Sequence, residues 1–202
     1  MDTDKTNSLF TSTIPHVTYR LATTADAAGL LKVYEPYVKN TAITYEYEVP
    51  TIEEFASRIA GVLEKFPYIV VLIDGRISGY AYAHAFHPRA AYSWCAELSI
   101  YLSGDCHGMG IGRELYGIME NILKKQNILN LYSCVAYTEV EDEYLTQASV
   151  HFHEHMGFTT CAHLHKCGYK FNRWYDMVYM EKTIGEHVEN MPAVIPFPEL
   201  DL

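Results

Sequence analysis

The stretch Ala96–Gly112, AELSIYLSGDCHGMGIG, holds the residues best suited to chemistry. Ala96–Leu102 alternates apolar and polar residues and reads as a strand. Gly108, Gly110 and Gly112 follow at every second position, and Leu115, Ile118, Met119 and Ile122 then mark a helix from about Ile111 to Gln126. Alternating glycines let backbone N–H groups converge, and the start of a helix adds free donors and the positive end of its dipole. Together they make a seat for a diphosphate that needs no basic side chain. A triphosphate loop would read GxxxxGK followed by Ser or Thr, which is absent. A dinucleotide loop would need glycine at 113, where Arg113 stands. A glycine-rich turn with no ligand is the plain alternative.

Two further groups can move protons. Glu97 is an acid within the apolar strand, just before the glycine loop. Partial burial would raise its pKa toward that of a general base, whereas strand alternation alone equally allows an outward, solvated carboxylate. His153 lies in His151-Phe152-His153-Glu154-His155, on a predicted helix Ala148–Met156 that Gly157 stops. His151 and His155 stand at i, i+4 and could share a metal, but the run is not HExxH and implies no third ligand, so no metal is expected there.

The elements that position these groups follow from periodicity. A short strand at Tyr19–Ala22 precedes Thr23-Thr24-Ala25-Asp26, a helix-capping pattern, and an apolar stripe through Val38 that Pro36 should break or kink. Thr51-x-x-Glu54 caps a second helix that Pro67 ends. Tyr68–Ile73 and Ile77–Phe86 flank Asp74-Gly75, a hairpin turn. Residues 87–95 read as a loop, Leu129–Ala136 as a strand, 138–144 as an acidic loop, and 159–167 and 175–182 as strands. Helices alternate with strands around an antiparallel hairpin, which predicts an α/β (α+β) fold on a mixed sheet.

Length and composition bound the rest. The 202 residues suit one domain, and 49% apolar residues can fill its core. We divide the chain into a flexible arm (1–15), a domain (16–182) and an acidic, proline-containing tail (183–202). The net charge of −10 argues against nucleic acid or an anionic membrane as partner. The longest apolar run is far shorter than the roughly 20 residues of a spanning helix, the first residues lack a signal-peptide pattern, and five widely spaced cysteines include no CxxC pair. These features predict a cytoplasmic protein with reduced thiols.

Several stretches, taken in order, resemble one family. They are ITYEYEVPTIEEF (43–55), ISGYAYAHAFHPRAAYSWCAELSIYL (77–102), HGMGIG (107–112), ASVHFHEHMGF (148–158) and GYKFNRWYDMVYM (168–180). They are similar to the phosphinothricin acetyltransferase branch of the GNAT N-acetyltransferases from about Tyr19 to Glu181. The family's coenzyme A loop has Gln or Arg, two residues, Gly, one residue, then Gly or Ala; His107 replaces the first residue, and Gly110 and Gly112 fit.

The resemblance implies a GNAT fold: a twisted, mostly antiparallel mixed sheet with helices on both faces, splayed where acetyl-CoA enters. It implies acetyl transfer from acetyl-CoA to the primary amine of a small acceptor, an amino acid or an analogue such as phosphinothricin or methionine sulfoximine, without a metal. Glu97 would be the base, and His153 would serve the coenzyme sulfur. The backbone of Ser99, Ile100, Tyr101 and Leu102, the loop His107, Gly108, Met109, Gly110, Ile111 and Gly112, and Thr146 and Ser149 would bind the coenzyme. Tyr45, Arg89, Tyr92, Lys170, Arg173 and Trp174 would face the acceptor, the cations holding its anionic group, or Arg89 and Arg173 would form surface ion pairs. A homodimer would bring the aromatic residues of 86–94 and 168–177 near the pocket. Two other functions fit the same residues: a GNAT enzyme for a polyamine or protein N-terminus, and a non-catalytic acyl-CoA sensor.

Overall fold

The computed structural model describes residues 10–106 and 108–201. One seven-stranded sheet runs through the chain. Its strands are β1 (Val17–Leu21), β2 (Tyr68–Ile73), β3 (Arg76–Ala85), β4 (Cys95–Leu102), β5 (Asn130–Tyr137), β6 (Thr159–Lys170) and β7 (Arg173–Thr183), in spatial order β1-β2-β3-β4-β5-β7-β6. Only β4 and β5 are parallel; every other neighbouring pair is antiparallel.

Strand alternation sends side chains to two cores. On one face, helices α1 (Ala27–Asn40) and α2 (Ile52–Leu63) bury Leu30, Val33, Tyr34, Val38, Phe55 and Ile59 against Tyr68, Val70 and Tyr80. On the other, helix α3 (Ile111–Lys125) lays Ile111, Leu115, Met119 and Ile122 over Val71, Ala81, Ala83 and Leu98, with Val150 of helix α4 (Ala148–His155) beside them. Each fully buried aliphatic side chain contributes about 1.5–3 kcal/mol, so these two layers dominate stability.

The local signals explain most boundaries. The Thr51 hydroxyl accepts the Glu54 N–H at 3.1 Å and starts α2. Asp74 and Gly75 both take positive φ, 49° and 76°, as a tight β-hairpin requires. Three expectations change. Pro36 does not end α1, which continues to Asn40: buried Val33, Tyr34 and Val38 hold the helix on both sides of it. The last two strands are longer than 159–167 and 175–182, because Phe171 and Asn172 make a two-residue turn with φ of 51° and 59°. A Phe-Asn pair is a weak turn signal. Here the Phe171 ring stacks on Tyr144 with centroids 4.1 Å apart, which holds the strained residue in place.

The third change is at the chain ends. Residues 1–9 of the expected arm lie outside the described residues. From Phe10 onward the arm is fixed: Phe10 bridges to Tyr19, and Glu114 in the first turn of α3 gathers the Ser12 hydroxyl (2.7 Å), the Thr13 N–H (2.8 Å) and hydroxyl, and the Tyr19 hydroxyl (2.9 Å). The tail is also docked. Trp94 Nε1 donates to the Pro192 carbonyl, Gln126 Nε2 to that of Ile195 and Asn127 Nδ2 to that of Ala193, while Phe197 is buried. No helix among the described residues is long and apolar enough to cross a membrane.

Burial alone would raise the Glu114 pKa, but the hydrogen bonds it accepts outweigh that and hold it below the ordinary carboxylate value. A depressed carboxylate stabilises the fold above its unfolded pKa and loses that contribution as pH falls through the folded one. Glu114→Ala should therefore cost about 1.5–3 kcal/mol in urea unfolding at neutral pH, with faster amide exchange over residues 10–14. The difference from wild type should shrink in acid.

Candidate active site

The site begins where the sheet opens. Strands β4 and β5 pair at Cys95–Asn130, Ala96–Leu131 and Glu97–Tyr132, and no further. Beyond that point Leu98–Leu102 stays bonded to β3 while Ser133–Tyr137 stays bonded to β7, so the two strands part. Leu98, Ser99, Ile100 and Tyr101 line one wall of the resulting cleft and Ser133, Cys134, Val135 and Ala136 the other, with Tyr116, Ser149 and His153 between them. The β4 backbone facing this cleft lacks a strand partner and suits an extended ligand arm. Leu102 departs from the expected set: its N–H and carbonyl both meet the Tyr37 hydroxyl.

Glu97 is the last paired residue. Its side chain is 16% exposed, with His84 Nε2 at 3.6 Å from its carboxylate. Burial pushes its pKa up, and the nearby His84 and His87 pull it only partly back. The solvated alternative therefore does not hold. Around it stand Tyr132 and Phe86, stacked at 4.1 Å, and Tyr179 against Phe86 at 6.2 Å. On the same side of the sheet lies a cavity of about 520 Å³, lined among others by Tyr34, Phe55, Arg58, Tyr82, His84 and Tyr101.

The loop at 108–112 takes the expected form with a different division of labour. Gly110 caps α3 at φ 86°, a left-handed conformation, while a β-carbon on Gly112 would lie 2.9 Å from the Phe152 ring. Gly110 thus aims the loop backbone, and Gly112 lets α3 approach α4. Gly108 and Met109, just before α3, are exposed, and the first N–H groups of a helix have no partner within it. His107 lies outside the described residues. Thr146 is exposed just before α4, its hydroxyl 3.4 Å from the Ala148 N–H.

His153 needs a correction. It is buried, its Nδ1 is 2.7 Å from the Ser149 carbonyl and its Nε2 2.8 Å from the Tyr116 hydroxyl. A carbonyl only accepts, so Nδ1 carries the proton and Nε2 accepts from Tyr116. Burial lowers its pKa and favours this neutral form, partly countered by the Ser149 carbonyl. His153 therefore has no spare proton for a sulfur, and its Nε2 holds the Tyr116 hydroxyl in the cleft lining. Position 116 sits in the apolar stripe of α3, which is why the sequence marks it as core.

The six expected acceptor residues fall into two groups. Tyr92 packs on Phe86 and His87 near Glu97, with the exposed Arg89 in the same loop; Arg89 makes no ion pair among the described residues. The other four gather at the β6–β7 hairpin, beyond Tyr137. That is five residues, roughly 17 Å, along β5 from Tyr132. There the Tyr45 hydroxyl donates to the Asp176 carbonyl (2.6 Å), Lys170 is buried with Nζ on the Thr44 carbonyl (2.8 Å), and Trp174 is 60% exposed. Arg173 is paired with Asp142 (2.8 Å) and Glu143 (2.8 and 2.9 Å) of the acidic loop. The expectation that Lys170 and Arg173 hold an acceptor anion is corrected accordingly, since both serve the chain itself. Arg173→Gln should speed amide exchange over 138–147 and leave that of β2–β4 unchanged.

Comparison with known proteins agrees with this fold. The family model described as Acetyltransferase (GNAT) domain matches residues 19–179. A phosphinothricin N-acetyltransferase of Alcaligenes faecalis is 32% identical over 180 residues, covering 87% of this chain and 86% of its own. An L-methionine sulfoximine/L-methionine sulfone acetyltransferase of Salmonella typhimurium is 28% identical over 172 residues, covering 85% and 96%. Among solved structures, a GNAT superfamily phosphinothricin acetyltransferase from Sinorhizobium meliloti in complex with AcCoA superposes with a TM-score of 0.80 at 30% identity, covering 91% of this chain and 97% of that one.

Proposed function

The chain belongs to the GNAT acetyltransferase family, and from that premise we propose that it moves acetyl from acetyl-CoA to the primary amine of a small amino acid or analogue, with Glu97 as the base. The observation that carries this is the largely buried carboxylate at the last β4–β5 pair, beside His84 of the aromatic cavity and one residue before the cleft wall begins at Leu98. Relatives named for phosphinothricin and methionine sulfoximine support acceptors of that class.

The chemistry follows from where the groups stand. An acceptor ammonium entering from the cavity side loses a proton to Glu97. The freed amine nitrogen attacks the thioester carbon, and the carbonyl oxygen gains charge that unpaired N–H groups of β4 are placed to stabilise. The C–S bond then breaks, the nitrogen sheds its second proton as the amide forms, and that proton neutralises the thiolate. Tyr116, its hydroxyl committed to His153 Nε2, lines the cleft in which this occurs. Arg89 and the Tyr92 ring flank the Glu97 side and suit an acceptor's anionic group. The exposed Tyr169 and Trp174 of the β6–β7 hairpin support a homodimer that covers them.

The coenzyme seat and the base are separately testable. Gly110→Val puts a branched residue at φ 86° in the loop, so KM for acetyl-CoA should rise at least tenfold while circular dichroism keeps the helical signal; unchanged KM in a folded variant removes the loop from the site. Glu97→Gln keeps shape but loses the proton site, and kcat/KM should fall by about 10²–10⁴ with coenzyme binding barely altered. Because its pKa is raised, the wild-type acid limb should lie above the ordinary carboxylate range and vanish in the variant, leaving only the acceptor's own ionisation. Near-normal kcat/KM on a panel including phosphinothricin and methionine sulfoximine would rule Glu97 out as the base.

A further inference from the structure

We propose that His163, His165 and Asp176 form a site for one divalent transition-metal ion of the zinc class, on the face of the sheet opposite Glu97. The register of β6 on β7 explains how they meet. His163 is opposite Val178 and Leu164 opposite Met177, but pairing resumes only at Gly168–Tyr175, so residues 165–167 bulge against Asp176 alone. His163 and His165 are two apart on β6, and Asp176 is two from Val178 on β7, so period-2 alternation puts all three on one face. Val178 and Met180 on that face are buried in the α3–α4 core, whereas Tyr179, which packs toward Phe86 near Glu97, is on the other.

The donor atoms are close and oriented. Asp176 Oδ2 is 2.7 Å from His163 Nε2 and 3.4 Å from His165 Nδ1, the two rings lie 4.0 Å apart, and all three donors fall within 4.8 Å of one another. Tetrahedral coordination at metal–nitrogen distances of about 2.0–2.1 Å separates donors by roughly 3.3 Å, which small ring rotations reach. The bulge also supplies outer support. The Lys166 N–H, on a residue with φ 48°, donates to Asp176 Oδ1 at 2.7 Å and leaves Oδ2 for the ion. The Tyr45 hydroxyl holds the Asp176 carbonyl, and the Tyr137 ring meets His163 edge-on at 5.1 Å. Such carboxylate-orienting contacts are what metal sites use to fix their ligands. Two imidazoles and one carboxylate favour Zn²⁺, Co²⁺, Ni²⁺ or Cu²⁺ over Ca²⁺ or Mg²⁺. His165, 72% exposed, gives the ion a path from solvent, and water would complete its shell. A bound ion would pin the bulge of β6 to β7 and take no part in acyl transfer.

The test uses the full chain after chelator treatment. Co²⁺ added to it should give visible d–d absorption that saturates at one equivalent, and Zn²⁺ should displace the cobalt and raise Tm. His165→Ala changes an exposed ring and should keep the fold, weakening Zn²⁺ binding at least tenfold and abolishing the Tm rise. Two controls address the other ligands: His151→Ala with His155→Ala removes the i, i+4 pair of α4, and Cys161→Ser with Cys167→Ser removes the exposed thiols of β6. Both should bind as wild type does. No saturable binding in wild type, undiminished binding in His165→Ala, or loss of binding in either control would overturn the site and leave the cluster as an ion pair.

Discussion

One broken ladder organises this molecule. Parallel pairing between β4 and β5 ends at Glu97–Tyr132, and the candidate active site is arranged around that point. If the ladder continued, Leu98–Leu102 would spend its hydrogen bonds on Ser133–Tyr137 and no cleft would exist. Because each strand keeps its outer partner, the opening costs only the bonds across it. The helices share the consequences: α3 and α4 bring Tyr116 and His153 to the floor of the gap, while α1 and α2 build the aromatic cavity on the Glu97 side.

The parts of this arrangement legible in the sequence are those encoded by near neighbours. Strand, glycine loop and helix from 96 to 125, the Asp74-Gly75 hairpin and the Thr51 cap each lie within one short window, where periodicity and turn chemistry act directly. The resemblance of several ordered stretches then places Glu97 beside the loop. What was not legible depends on partners distant in sequence. Arg173 reads as an available cation until Asp142 and Glu143, some thirty residues away, neutralise it. Lys170 reads as a cation for an acceptor's anionic group until the Thr44 carbonyl draws it inside. Tyr116 reads as core because a helical stripe cannot show that one hydroxyl along it reaches a histidine 37 residues on.

Charge placement follows the same division. The acidic loop 138–144 contributes to the chain's net charge of −10, yet part of it is counter-ion to Arg173 and part caps the turn before α4, where Asp142 accepts the Tyr144 and Leu145 N–H groups. Glu97, by contrast, is kept apart from any full cation of that kind; its nearest partners are imidazoles, and burial sets its proton affinity. A carboxylate clasped by arginine would be a poor acceptor of protons, so the separation of the two acids matters as much as their presence.

The docked tail bears on the cleft through its geometry. Its contacts with Trp94, Gln126 and Asn127 lie at the end of the sheet where β4 and β5 are still joined, since Trp94 also takes the Leu129 and Asn130 N–H groups on its carbonyl. The two strands form a V, and the tail is a staple across its vertex. Contacts that hold a vertex also limit how far its arms can part. Residues 184–201 are fastened at that closed end, and none of them lines the cleft.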